Sequence, residues 1–154
     1  MEADLAKREI ASTDGAAAAD AVTGLAAFQR SLAVETTLIC VMSTGGGYAT
    51  LRVGRDSVDL RPAGLGRREA EAKLARLHEL VDRSLVRLAV GREPSSAIRE
   101  SIDAILAELG DGLFAGAAPH LSGRVGFCLP GELSMLPLAA VRVGGAAVVE
   151  RCVP

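Results

Sequence analysis

The chain reads as an α/β domain, and three observations predict it. A β-rich pattern interrupted by glycines occupies 36–53. Two long segments with apolar residues at three- and four-residue steps follow, and a second apolar run at 125–129 stops at Pro130 and Gly131. An antiparallel meander, then helices, then a strand with little polar interruption is the pattern of helices covering a sheet that turns parallel.

The elements follow in order. Residues 1–20 carry mixed charge and end in the low-complexity GAAAAD, which predicts a flexible N-terminal arm. From 21 to 32, Leu25, Phe28 and Leu32 fall three and four apart and predict a short amphipathic helix. TTLICVM and YATLRV, separated by STGGG, predict a hairpin with Gly45, Gly46 and Gly47 in its turn. A third strand is expected over Ser57 to Leu60 after a turn at Gly54, Arg55 and Asp56, with Pro62, Gly64 and Gly66 breaking the pattern beyond it.

Arg67 to Val90 predicts a long helix, with Ala70, Leu74, Leu77, Leu80, Val81, Ser84, Leu85 and Leu88 lining one face and Gly91 ending it. On its polar face Glu69 with Lys73, and Glu79 with Arg83, are acid-first pairs four apart. A second helix starts after Pro94 with a serine cap and buries Ile98, Ile102, Ile105, Leu106, Leu109 and Leu113, while Gly110 and Gly112 loosen its last turn. The run Val125, Phe127, Cys128 and Leu129 then predicts a strand covered on both faces. Pro130 ends its ladder and Gly131 permits a sharp turn at the carboxyl edge, where open α/β sheets place ligands. A last strand is expected over Ala146 to Val153.

Composition bounds the function. With 154 residues the chain fits one domain, and 49% hydrophobic against 23% charged residues describes a globular protein. Aromatics at 3% and a net charge of -2 leave little for base stacking and no pull on phosphate backbones, which excludes nucleic acid as a partner class. No secretory pattern opens the chain, and no apolar stretch approaches the roughly 20 residues that cross a bilayer, so no membrane association is expected. Three scattered cysteines, Cys40, Cys128 and Cys152, without C-x-x-C spacing suit reduced thiols and a cytoplasmic location.

Chemistry-bearing residues are sparse. His78 sits one step off the apolar face of the long helix, and His120 precedes the late strand, where packing roles are the simpler reading. Cys128 is expected inside a buried strand as a small hydrophobe, and Cys152 with His120 is a nucleophile–base pair by residue type alone. The TGGG turn over Thr44 to Gly47 lacks the lysine and the following helix of a phosphate-binding loop. Paired acids such as Glu100 with Asp103 and Glu69 with Glu71 fall on solvated helix faces, and Arg52, Arg55, Arg61, Arg67 and Arg68 read as dispersed solubilising charge. No catalytic, cofactor-binding or metal residues are assigned, and no cofactor is expected.

Pro130, Gly131, Leu133, Leu136, Pro137, Leu138, Ala139, Ala140 and Val141 resemble the P-x-G-x-L-x-x-L-P-F-A-A-L stretch of the CHAT family, the caspase-like domains often attached to helical repeats. GGAAVVERCVP is similar to the family's next stretch, and Pro119, His120 and Leu121 occupy the place of its Pro-His-Leu-like segment. The segment from Pro130 to Leu133 is one residue shorter than the family pattern, and Ser134 stands where a histidine is frequent. The resemblance implies a caspase-like fold in which an antiparallel meander and helices lead into a truncated, mainly parallel sheet, with residues 21–154 as the amino-terminal part of the domain. It implies a cysteine endopeptidase whose catalytic His and Cys lie on later strands beyond Pro154, so this chain alone is expected to be inactive. Implied partners are proteins or peptides, including attached or associated helical-repeat or sensor domains, with self-association through an exposed sheet edge. The other reading is a stand-alone, non-catalytic interaction module using a caspase-like half-sheet.

Overall fold

The computed structural model describes residues 23–152, so the arm expected over 1–20 lies outside the described residues. A four-stranded sheet carries the fold, in the order β3-β2-β1-β4. β1 (Thr36–Ser43), β2 (Gly47–Gly54) and β3 (Ser57–Gly66) form the antiparallel meander, and β4 (Arg124–Cys128) lies parallel to β1 on its other side. The architecture is mixed α/β, with one parallel pairing and two antiparallel ones in this sheet.

Alternation along the strands divides the sheet into two faces. Ile39, Val41 and Tyr48 belong to the buried cluster, with Val125 and Phe127 packed against it. Helix α2 (Arg67–Ala89) contributes Ala70, Leu74 and Leu77 to that cluster, and helix α3 (Ser96–Phe114) contributes Leu106, Leu109, Leu113 and Phe114. Thr50 Oγ1 donates to Leu113 O at 2.7 Å, which satisfies this buried hydroxyl at the α3 contact. Phe114 meets Phe127 edge to face, with ring centroids 5.6 Å apart.

Both long helices start and stop near the expected residues. Ser95 caps α3 by accepting from Ile98 N, and Gly91, at φ 71°, takes the left-handed conformation after α2. Gly110 does not loosen α3. A Cβ there would lie 1.9 Å from Arg142 O, so glycine lets the helix pack directly on the backbone of the next hairpin. The helix seen over 23–31 matches the first expected helix, and Gln29 Nε2 ties it to the end of β2 by donating to Gly54 O at 2.8 Å.

Four expectations are corrected. β3 does not stop at Leu60 but continues through Pro62 to Gly66, because β2 is its only neighbour among the described residues and an edge strand tolerates a proline without an N–H. A register shift between Gly47 and Ala49 absorbs the irregularity. The apolar stripe of α2 is buried only to Leu80; Val81, Leu85 and Leu88 are exposed because the last turns of the helix run past the sheet. β4 is not covered on both faces: Val125 and Phe127 pack against the core cluster on one side, where Phe127 meets Phe114 of α3, and Cys128 is exposed on the other. The strand expected over Ala146 to Val153 is a two-residue pairing of β5 (Arg142–Val143) with β6 (Ala146–Ala147), followed by the helical turn α4 (Val148–Arg151). Gly144 and Gly145, at φ 56° and 83°, make the tight turn, and Glu150 Oε2 accepts from Ala147 N at 2.9 Å to start the helix.

Candidate functional site

Because β1 and β4 are parallel, Ser43 and Cys128 end on the same edge of the sheet, and the Pro130 loop leaves from it. Pro130 enters a 3-10 turn over Gly131–Leu133, with Leu133 N donating to Pro130 O at 2.9 Å and Ser134 Oγ to Gly131 O at 2.7 Å. Leu133, Leu136 and Val141 are buried, which fastens the loop to the core at three points. Immediately before the first of them the loop presents Glu132 to the end of β1.

Glu132 is the polar centre of this edge. Ser43 Oγ donates to Glu132 Oε1 at 2.7 Å, and Arg67, the first residue of α2, stands 3.8 Å away while also bonding Glu71 at 3.1 Å. The Ser43 hydroxyl, the loop's own backbone N–H and the Arg67 charge hold the Glu132 carboxyl below the usual range, against the opposing effect of desolvation. Tyr48 lies close by, 3% exposed, with a hydroxyl that finds no hydrogen-bond partner, and its pKa is pushed up by burial and by the Glu132 charge. A carboxylate held down in this way is a weak proton acceptor, and no imidazole joins it to Ser43. The arrangement clamps a loop and does not activate a nucleophile.

The turn after β1 is a hairpin turn, closed by Thr44 N donating to Gly47 O at 2.9 Å. The fold nevertheless brings a helix start to it: a Cβ on Gly47 would meet Leu65 O at 3.2 Å and Arg67 N at 3.8 Å. A cleft of about 400 Å³ runs between Gly45, Gly46, Gly66, Arg67, Arg68 and Glu69. Glu69, beside the two arginines, and Glu71 and Glu132, which engage Arg67, offset their charge, so the cleft lacks the positive field of a phosphate cradle.

The remaining candidates lie elsewhere. His78 is exposed on α2. His120 lines a cavity of about 480 Å³ with Glu35, Thr37, Pro119, Ser122 and Gly123, at the amino end of β1 and β4 and so across the sheet from the Pro130 loop. Cys152 bridges Gly123 at that same end. Burial pushes the Cys152 thiol up, and Cys152 does not line the His120 cavity. Glu100 and Asp103 are exposed on α3. Arg67 with Glu71 and Arg61 with Asp59 are neutralised locally, and Arg52 Nη1 donates to Ser57 Oγ. Among the described residues no group of three or more His, Cys, Asp or Glu is placed to hold a metal ion, and no helix is long and apolar enough to cross a membrane.

Sequence reasoning missed Ser43, Tyr48 and Glu132. Ser43 and Glu132 are 89 residues apart, and only the parallel pairing of β1 with β4 unites them. No family model, curated protein or solved structure matches the chain.

Proposed function

We propose that the chain is the amino-terminal part of a CHAT-type, caspase-like cysteine endopeptidase domain. The observation that carries the reading is the β1–β4 parallel pair, with the Pro130–Gly131 loop leaving its carboxyl edge. A parallel bridge between Gly123 and Cys152 supports it, since this is how a further strand starts beside β4 in a parallel sheet. The His and Cys of the family's dyad belong to strands beyond Pro154, and neighbouring helical-repeat or sensor domains would govern the activity. Residues 1–154 alone are then inactive. Cleavage of a peptide library by the purified chain, abolished by thiol alkylation, would contradict this. The mass of the endogenous product is the companion measurement: a product much larger than 154 residues, carrying the dyad, favours the peptidase.

The second reading, a non-catalytic interaction module, draws on the surface that the sheet leaves open. Met42, Val58 and Leu60 are exposed at 38%, 42% and 58%, and an unpaired strand edge offers N–H and C=O groups to a partner strand. An endogenous product of 154 residues that captures a peptide strand, with loss of capture when proline replaces Val125 in β4, favours the module.

A further inference from the structure

Cys40 and Cys128 are Cα partners in the parallel β1–β4 pair. Each follows a residue of the core face, Ile39 and Phe127, so alternation sends both thiols out of the opposite face, which neither α2 nor α3 covers. Cys128 is exposed and Cys40 partly so, and both are free thiols. Burial, and after it the neighbouring Cys128, raises the pKa of Cys40.

Neighbouring strands run about 4.7–4.9 Å apart. Disulfides span Cα separations of about 4.4–6.8 Å, so the backbone already stands within their reach. Closing the remaining gap between the sulfurs requires a small shift of one strand. β4 can make it, because β1 is its only full-length neighbour among the described residues and the bridge to Cys152 touches it only at Gly123, before the strand begins. Cys152, at that opposite end of β4, is not positioned to compete.

We propose that Cys40 and Cys128 form a thiol–disulfide exchange site, oxidised reversibly by small disulfides such as glutathione disulfide and clamping β1 to β4. The exposed Cys128 loses its proton to solvent, and its thiolate attacks glutathione disulfide, forming a mixed disulfide and expelling one glutathione thiolate. Cys40 then loses its proton, and its sulfur attacks the Cys128 sulfur and expels the second glutathione. Two protein thiols become one disulfide as one glutathione disulfide becomes two thiols. Cys128 lies two residues before Pro130, so the clamp fixes the strand end from which the Glu132 loop departs. The site does not depend on the peptidase reading.

The test equilibrates the full chain in graded mixtures of reduced and oxidised glutathione, quenches with acid and measures intact mass, then maps peptides. The expected product has lost two hydrogen atoms, links the Cys40 and Cys128 peptides, leaves Cys152 as a thiol and reverts with dithiothreitol. The Cys40→Ser chain is expected to stop with one glutathione on Cys128. Accumulation of that mixed disulfide in the unaltered chain would overturn the proposal, as would a chain that stays reduced where Cys40→Ser is glutathionylated, or a linkage through Cys152. As a readout independent of the Cys40 variant, oxidation should raise the melting temperature of the unaltered chain and leave that of Cys128→Ser unchanged; equal shifts in both would also overturn it.

Discussion

Gly110 shows how one missing side chain sets a helix against a hairpin. Alanine there would place Cβ 1.9 Å from Arg142 O and 2.7 Å from Val141 Cγ1, both parts of the structure that follows the Pro130 loop. Helix propensity alone favours alanine over glycine by about 1 kcal/mol. The clash reverses the sign: Gly110→Ala should destabilise by about 1–3 kcal/mol, as overpacking does, in chemical denaturation. Gly24→Ala, in the helix over 23–31 with nothing within 4 Å of the added carbon, should be neutral or slightly stabilising. Equal effects at the two sites would show that the backbone contact is absent. Glu132 gives the pH counterpart. Its folded pKa lies below the ordinary carboxylate value, so its contribution is present in full above the unfolded pKa and is lost as pH falls through the folded one. Glu132→Gln should therefore lower the melting temperature near neutral pH, and the difference should shrink as pH falls below the ordinary carboxylate range and through the folded pKa. A difference unchanged at low pH would mean that the carboxylate charge plays no part.

Helix α2 joins two regimes in one element. From Arg67 to Leu80 its apolar stripe enters the core, with Leu77 1% exposed, whereas Leu85 and Leu88, on the same stripe, are 57% and 53% exposed. Leu77→Ala should cost about 2–5 kcal/mol, the range for a buried leucine, while Leu85→Ala should cost no more than the roughly 0.5 kcal/mol of a surface change. A large loss at Leu85 in denaturant titration would mean that something covers the end of the helix. The same element shows what the sequence makes legible. The periodicity of Leu74, Leu77, Leu80, Leu85 and Leu88 is local, so helix and face could be read directly. Where the face stops being buried is fixed by the length of a sheet whose strands come from elsewhere in the chain. β3 repeats the lesson: Pro62 reads as a terminator until its edge position is known. The Ala146–Ala147 pairing repeats it too, since Val148 and Val149 have strand-like side chains but stand between a glycine turn and Glu150, whose carboxylate reaches back to Ala147 N and starts a helical turn.

At the scale of the molecule, β1 is the strand on which the rest depends. It is paired on both sides, antiparallel to β2 and parallel to β4, and its Ile39 and Val41 are 0% and 4% exposed. The pairing with β2 spans a short turn and was readable from the glycines between the strands. The pairing with β4 closes over α2 and α3, and no local pattern announces which strand β4 will join. The candidate site inherits that non-locality, because Ser43 and Glu132 meet only once β1 and β4 are side by side. Opening free energies should follow this hierarchy, since amides exchange through the smallest unfolding event that frees them. The amides of Ile39 and Val41 should exchange slowest, those of β3 beyond Pro62 faster at its single-neighbour edge, and those of the last turn of α2 fastest. Residue-resolved hydrogen exchange decides this. If the end of α2 were as protected as β1, the sheet would not be the unit whose unfolding limits exchange, and the exposed Leu85 and Leu88 would have to be covered in solution.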